Sequence, residues 1–196
     1  MPTFTLGGKT LATQTGTAEP VLADSVVYAK AGGILQVQNY TDTTAWTQVL
    51  DTDFETLVNG SGVKFAVSIT PTLTGSKTIV TVSFGSIYGH SGVNYGLGVR
   101  LCRNGTPIKL STATDSTPLT TFSASNNQPA YLTAVTAVIR DETLNTKDVA
   151  VEYTVQMQKH STTFTMGVNR TDSSGNNNYA YQQRTSSHMI AMEVVA

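Results

Sequence analysis

Apolar and polar residues alternate with a period of two along most of the chain from residue 33 onward, and this pattern constrains the fold more than any other feature. In VAVEYTVQM the odd-numbered positions from Val149 to Met157 are apolar or aromatic, whereas Glu152, Thr154 and Gln156 lie between them. Side chains of a strand point alternately to its two faces, so this spacing predicts a half-buried β-strand. VKFAVSI, TIVTVSF and NYGLGVRLCR repeat the pattern. The predicted inward residues are Val63, Phe65, Val67, Ile69, Val80, Val82, Phe84, Tyr95, Leu97, Val99, Leu101, Val149, Val151, Tyr153, Val155 and Met157.

Shorter segments with the same period predict further strands at residues 35–40, 46–50, 106–110, 131–139, 163–169 and 188–195. Asn104 and Gly105 separate two of the predicted strands, and Asn-Gly favours the positive φ angles of a two-residue hairpin turn. DTDFETLV, residues 51–58, predicts one short helical turn, while β-branched residues dominate elsewhere. The whole pattern indicates an all-β antiparallel β-sandwich with jelly-roll or related Greek-key connections.

The chain carries little charge, and this narrows the classes of partner. Charged residues make up 13% of the 196 residues and the net charge is -1, whereas about a quarter of an ordinary soluble domain is charged. Because nucleic acid, acidic polymers and anionic membranes all require a clustered basic surface, the sequence predicts none of them as a partner. The sequence shows no signal-peptide pattern and no membrane-length apolar run, which predicts synthesis as a soluble protein in the cytoplasm. The four N-x-S/T sequons are attributed to a composition rich in Asn and Thr.

Residues 1–33 differ from the rest, because their apolar residues are isolated and paired glycines stand near each end. The segment is interpreted as an N-terminal arm, and residues 34–196 as the β-sandwich domain. Two interpretations of the arm remain open: a strand pair that folds onto the sandwich, or an extended anchor that adds strands to the edge of another protein. The residues predicted to anchor it are Leu11, Thr13, Thr15, Pro20, Val21 and Leu22.

No constellation of residues predicts catalysis or a cofactor. Carboxylates cluster at residues 51–55 and 141–142, but both groups stand in predicted loops, where acids commonly cap turns. His90, His160 and His188 lack metal-ligand spacing, and Cys102 is the single cysteine of the chain. The sequence therefore predicts a protein that is not an enzyme and that has no metal or cofactor.

Two segments combine aromatic rings with amides, a pairing that suits sugar surfaces because rings stack on sugar faces and amides bind hydroxyls. They are GSIYGHSGVNY and TDSSGNNNYAYQQR. The alternative is that Asn, Gly and Ser are simply what long turns contain. The principal predicted contact residues are Tyr88, His90, Tyr95, Asn177, Tyr179 and Tyr181, with Asn94, Asn176, Asn178, Gln182 and Arg184 nearby.

Several segments, taken in order, resemble the knob domain at the tip of bacteriophage fibres. They are ILQVQNYTDTT, SITPTLTGSKTIVTVSF, RLCRNGTPI, VAVEYTVQM, MGVNRTDSSGNN and SSHMIAMEVVA, while TLATQTGTAEPVL resembles a short virion-attachment leader. The resemblance implies a trimeric β-sandwich knob on a phage particle, with a leader that docks into other virion proteins and a knob that meets host glycan or a protein receptor. Glu142 and Thr143 replace an expected proline-bearing turn, and no repetitive shaft separates leader and knob.

The sequence offers two further hints of self-association. The last strand is apolar on both faces, which predicts burial on both sides, inside the sandwich or near a trimer axis; its key residues are Met189, Ile190, Met192 and Val194. Gly96 and Gly98, beside Arg100 and Cys102, give another strand a small face that permits close approach of a neighbouring subunit or sheet.

The function predicted from these observations is a short trimeric tail fibre, a virion structural protein for host attachment. A capsid head fibre or a decoration protein is the alternative. A polysaccharide depolymerase using the acids at residues 51–55 is a third hypothesis.

Overall fold

The protein is all β in the part of the chain that the structure, a computed structural model, describes: residues 3–6, 9–13, 21–22, 31–89, 95–110, 120–126, 133–159, 164–169 and 185–196. Strands and turns account for these residues, and none of them is helical. The strands are β1 (Thr3–Leu6), β2 (Lys9–Thr13), β3 (Val21–Leu22), β4 (Ile34–Asp42), β5 (Trp46–Leu50), β6 (Glu55–Thr56), β7 (Ala66–Ile69), β8 (Lys77–Gly89), β9 (Tyr95–Arg103), β10 (Thr106–Ile108), β11 (Phe122–Asn126), β12 (Thr133–Asp141), β13 (Val151–Lys159), β14 (Phe164–Val168) and β15 (Ser187–Val194).

The strands form three antiparallel sheets, one of which is curled into a half-barrel. Sheet I has the order β1-β2-β3. Sheet II has the order β10-β9-β13-β6, with β11 also paired to β9 and β7 to β13. Sheet III has the order β4-β15-β8-β14-β5, with β12 paired to β8. Strands β14 and β15 pair with successive stretches of the long strand β8.

Sheets II and III bury their apolar faces against each other in one core. Phe65, next to β7, stacks on Phe84 of β8 at 5.0 Å between ring centroids, and Tyr40 of β4 meets Phe65 edge-on at 5.5 Å. Because these contacts join strands far apart in sequence, the core depends on the pairing of the whole chain. The predicted inward residues that are buried are Phe65, Val67, Ile69, Val80, Val82, Phe84, Leu97, Val99, Leu101, Val151, Tyr153, Val155 and Met157.

Two predicted inward residues are wrong. Val63 is 49% exposed and Val149 is 53% exposed. Each lies two or three residues before the strand that follows it begins, so neither is held by a full ladder of hydrogen bonds over the core. The side chain of Tyr95 lies outside the described residues.

The predicted short helical turn in residues 51–58 is also wrong, because Glu55 and Thr56 form strand β6 and pair with Met157 and Gln156 of β13. Strand β11 was not predicted, since FSASN has no alternating apolar residues. In contrast, the Asn-Gly hairpin is confirmed: Asn104 and Gly105 have φ angles of 48° and 81°, and the flanking strands β9 and β10 pair across it.

The described parts of the N-terminal arm pair with one another. Thr13 of β2 lies opposite Val21 of β3, and Leu22 lies opposite Ala12. Of the predicted anchoring residues, Leu11 also lies in β2, whereas Thr15 and Pro20 lie outside the described residues. Docking of the arm onto another protein stays a prediction.

The junction between arm and sandwich is held by the C-terminal end of the chain. The Gly32 N–H donates to the Val195 carbonyl at 2.9 Å, and the Val195 N–H donates to the Gly33 carbonyl at 2.9 Å. Gly32 and Gly33 therefore lie beside the end of β15.

Candidate functional site

The loops predicted to meet a host surface lie mainly outside the described residues. Tyr88 stands near the end of β8 in sheet III, and Tyr95 begins β9 in sheet II. The connection between them therefore passes from one sheet to the other. His90, Asn94 and the predicted contact residues from 176 to 184 lie outside the described part, so glycan contact at these positions stays a prediction.

The two ends of the Asn-rich segment, residues 170–184, leave from a buried polar cluster. Asn169 is fully buried, and its amide donates to the Asp42 carbonyl at 2.8 Å and the Thr44 carbonyl at 3.2 Å. The Ser187 hydroxyl donates to the Asn169 side-chain oxygen at 2.5 Å. Buried polar groups that are fully paired fix one local geometry. The backbone is therefore held in place by hydrogen bonds on both sides of the segment, at Asn169 and Ser187, which form its base.

A glycine permits close packing at this base. A Cβ atom at Gly85 would overlap the Ser186 carbonyl oxygen and would lie 2.7 Å from the Thr185 Cβ. The neighbouring Ser86 and Thr185 hydroxyls are hydrogen-bonded at 2.7 Å. Any larger residue at position 85 would displace the returning chain.

The carboxylates at residues 51–55 are engaged in local structure. The Asp53 N–H donates to the Asp51 carboxylate at 2.8 Å, an arrangement in which an aspartate closes its own turn. The Glu55 carboxylate lies 3.4 Å from the Gln48 amide nitrogen. For Asp51 this is the turn-capping role that loop acids commonly have, whereas Glu55 lies in strand β6. The depolymerase hypothesis gains no support from either arrangement.

Asp141, by contrast, lies in a buried network that the sequence did not reveal. Its carboxylate accepts from the Arg103 guanidinium at 2.6 Å and from the Tyr153 hydroxyl at 2.8 Å. Arg103 also donates to the Asn145 side chain at 3.0 Å. Burial alone raises the pKa of Asp141, but hydrogen bonds from Thr143, Tyr153 and Arg103 outweigh it and hold the pKa below its usual range. The network joins β9, β12 and β13.

The adjacent Glu142 points the other way and is surrounded by cations, a group that we name the cationic cluster. Its carboxylate lies 2.6 Å from the Lys77 Nζ, 3.6 Å from the Arg140 Nε and 3.8 Å from the Lys109 Nζ. The hydrogen bond from Lys77 lowers the pKa of Glu142 most, and the charges of Arg140 and Lys109 lower it further. Three positive charges and one negative charge leave a local net charge of +2.

A half-open pocket of about 250 Å³ adjoins the cationic cluster. Ile79 contributes aliphatic surface to it, and Gly32, Val195 and the nearly buried Val194 also line it. Arg140 belongs to both the pocket and the cluster. The pocket therefore combines an apolar wall with a cation.

Another buried carboxylate, Glu193, fixes the loop before β8. It is fully buried on the inner face of β15 and accepts from the N–H groups of Thr72 and Leu73, both at 3.0 Å. The Ser76 hydroxyl donates to it at 2.6 Å and the Gln36 amide at 2.8 Å. Burial alone raises the pKa of Glu193, but these hydrogen bonds outweigh it and lower the pKa.

The outer face of sheet III, on β4, β15, β8 and β12, is apolar in its middle. Val138 is 68% exposed and Val37 is 52% exposed, while Ile79, Ile190 and Met192 between them are partly buried. On the opposite face, Met189 is fully buried in the core. The last strand thus has one face fully buried and one face partly covered within the chain.

The small face of β9 is covered by this chain itself. A Cβ atom at Gly98 would lie 2.9 Å from the Thr120 side chain and 3.3 Å from the Phe54 ring. The Arg100 guanidinium lies 3.5 Å from the centroid of the same ring, and Cys102 is buried. At Gly98 the close neighbours are therefore Thr120 and Phe54 of this chain; the surroundings of Gly96 lie outside the described residues, and contact with a second subunit stays a prediction.

Among the residues that the structure describes, no three His, Cys, Asp or Glu side chains converge where a metal ion would bind. No helix in that part of the chain is long and apolar enough to cross a membrane.

Comparison with known proteins identifies no family for the chain. No family model matches it and no curated protein sequence matches it. Among solved structures it is similar to dimeric latent PorU from Porphyromonas gingivalis, with a TM-score of 0.31 and 8% identity over 85% of this chain. The chain spans 14% of the length of that protein, and a likeness this weak carries no argument.

Proposed function

We propose that this protein is a virion structural protein of a bacteriophage, a short trimeric fibre whose arm docks into the particle and whose β-sandwich knob meets the host surface. The proposal rests on the ordered resemblance of the knob segments and on an all-β sandwich of low charge. The jelly-roll connections, the trimer and the anchoring role of residues 1–33 belong to the same proposal.

The observation that carries the proposal furthest is the apolar outer face of sheet III. Its four strands, spaced by about 4.8 Å with about seven residues of about 3.3 Å each, span roughly 400 Å². The apolar residues Val37, Ile79, Val138, Ile190 and Met192 occupy part of that area, and contiguous exposed apolar surface marks interaction sites. On this face Val37, at 52% exposed, lies opposite Met192, and Val138, at 68%, lies opposite Thr81 of β8. Packing the part of this face around Val37, Ile190 and Val138 against other subunits would extend the burial of the last strand, while the rim with Lys77 and Arg140 would stay outside the contact.

Oligomeric state tests the trimer directly. Light scattering of the purified protein should give three times the mass of the 196-residue chain. Val37→Asp combined with Val138→Asp should yield a folded monomer, because a buried unpaired carboxylate disfavours association. Val49→Asp is the matched control, since Val49 is 55% exposed on β5, away from the four-strand face. A wild-type protein that is monomeric at high concentration would contradict the trimer.

Deletion of residues 1–30 tests the anchor. The truncated protein should keep the oligomeric state of the full chain yet fail to join particles, because the arm supplies the docking strands. Unfolding of the truncated protein would show that the arm belongs to the core. Electron microscopy of labelled particles would distinguish a tail fibre from a capsid fibre or decoration protein.

A further inference from the structure

We propose that the cationic cluster and the pocket beside it form a binding site for an acidic polysaccharide, with a uronic acid as the recognised unit. The inference deepens the proposed function, because it names the class of host-surface polymer that the knob would contact. It concerns Lys77, Lys109, Arg140 and Glu142 together with the pocket at Ile79 and Val194.

The first support is the excess of positive charge around one carboxylate. Glu142 has three cations within 4 Å, at 2.6, 3.6 and 3.8 Å, in a chain with 12 Lys and Arg residues in all. One carboxylate cannot neutralise three cations, so the cations repel one another across it. A second carboxylate arriving from solution would relieve this repulsion.

The second support is that the cluster is open to a ligand. The side chains of Lys109, Arg140 and Glu142 are 45%, 53% and 47% exposed. Arginine and lysine beside each other combine forked and point-like donors, a pairing that suits a carboxylate. Glu142 occupies the position that an external carboxylate would take, which indicates a carboxylate-sized anion as the ligand.

The third support is the pocket, which gives a reason to expect a sugar. Its volume of about 250 Å³ equals that of about eight liquid water molecules at about 30 Å³ each, the size class of one sugar ring. Ile79 is partly exposed and offers aliphatic surface to the C–H face of a ring, while Arg140 lines the same pocket and would pair with the acid group of the ring. An acidic polypeptide has carboxylates but no ring to fill this space.

One cation of the cluster, Lys109, has an unusual backbone conformation. Lys109 has a φ of 50°, a left-handed conformation that residues with a Cβ rarely adopt. Lys109 directly follows β10, and its Nζ lies 3.8 Å from the Glu142 carboxylate. Strained residues of this kind are concentrated at functional sites.

The test is a binding titration of the purified full-length protein and its variants against alginate, polyglutamate and uncharged dextran. Alginate should bind more tightly than polyglutamate, and dextran should not bind. Two to three displaced counterions should weaken alginate binding roughly 20-fold when salt rises from 50 to 200 mM, by analogy with other linear polyanions.

The variants separate this site from general electrostatic attraction. Lys109→Gln and Arg140→Gln should each weaken alginate binding at least fivefold, whereas Glu142→Gln should strengthen it severalfold because the competing internal carboxylate is gone. Lys64→Gln is the matched control: it removes the same charge from an exposed ion pair with Glu152 and should change affinity less than twofold. Circular dichroism confirms that each variant is folded.

Several results would overturn the inference. If Lys64→Gln and Lys109→Gln lose alginate affinity equally, the binding would be general electrostatic attraction and not a site. If Glu142→Gln weakens alginate binding, the proposed competition between Glu142 and the ligand carboxylate would be wrong. Tighter binding of polyglutamate than of alginate would assign the cluster to an acidic protein partner. Absence of the protein from virions would refute the proposed function but not a measured alginate site, so the two failures are distinguishable.

Discussion

Replacement of the buried carboxylate of Glu193 by an amide, Glu193→Gln, is expected to destabilise the fold markedly. The carboxylate accepts hydrogen bonds from Thr72, Leu73, Ser76 and Gln36 and is fully buried. An amide has one acceptor oxygen, so its nitrogen must face groups that now donate. With its oxygen in the place of Oε1, the amide still accepts from the two backbone N–H groups and from Ser76. Its nitrogen faces the Thr72 hydroxyl and the Gln36 amide, which can reorient, so the main loss is the negative charge that strengthens every one of these bonds.

The magnitude follows from this count. A hydrogen bond to a charged group contributes about 1.5–3 kcal/mol and one to a neutral group about 1 kcal/mol, so each bond that loses the charge weakens by roughly 0.5–2 kcal/mol. The Gln variant no longer bears the cost of burying a charge, and this offsets part of the lost hydrogen-bond energy. We expect Glu193→Gln to lower the free energy of unfolding by about 2–4 kcal/mol at pH 7, which is roughly 5–15 °C in melting temperature for a chain of this size.

The pH dependence supplies the sharper measurement. The pKa of Glu193 in the folded protein lies below its unfolded value of about 4.3. Its contribution to stability is therefore complete above that value and is lost as the pH falls through the folded pKa. The stability difference between wild type and Glu193→Gln should be largest near neutral pH and should shrink steadily below about pH 4.

Denaturant unfolding followed by circular dichroism, at fixed protein concentration from pH 7 to pH 3, would measure this difference. Glu152→Gln is the matched control, because Glu152 forms an exposed ion pair with Lys64 and such pairs contribute about 0–1 kcal/mol. A Glu193→Gln protein as stable as the control at pH 7, or a stability gap that does not change with pH, would refute the reasoning.

Three other substitutions test neighbouring features by the same unfolding assay. Asp141→Asn should cost about 3–5 kcal/mol, because it leaves Arg103 buried without its ionic partner; a cost below about 1 kcal/mol would contradict this. Gly85→Ala should cost at least about 2 kcal/mol, since the new Cβ would overlap the Ser186 carbonyl oxygen; an unchanged melting temperature would show that the loop base yields. Gly105→Ala should cost about 1–2 kcal/mol, because Gly105 has a φ of 81° and no contact within 4 Å of the new Cβ; any larger loss would indicate an effect other than backbone strain.

The strands and their inward faces were largely predictable, because alternation is a local property. Val80, Val82 and Phe84 are buried as the period of two predicts, and Trp46–Leu50 is a strand with the predicted bounds. The alternation fails to predict a strand where pairing with another strand decides whether the segment forms one. Glu55 and Thr56 form a strand only because β13 offers them an edge, and the segment carries no period that reveals this.

The candidate sites were mostly not predictable, because their members are distant in sequence. Lys77, Lys109 and Arg140 show no basic run, so the sequence indicated no cationic surface, yet three strands bring them to one carboxylate. Neighbours in sequence were equally uninformative: Asp141 and Glu142 were grouped together, but one is 2% and the other 47% exposed at the side chain.

The sequence by itself determined the β-class, the turn at Asn104-Gly105 and most of the inward faces, because side-chain alternation and positive φ angles act over a few residues. Only the tertiary structure decided the strand order and the fate of the charges. A carboxylate such as Glu193 is stable in the interior solely because donors from Gln36 and residues 72–76 converge on it, and that convergence exists only once β4, β8 and β15 are paired.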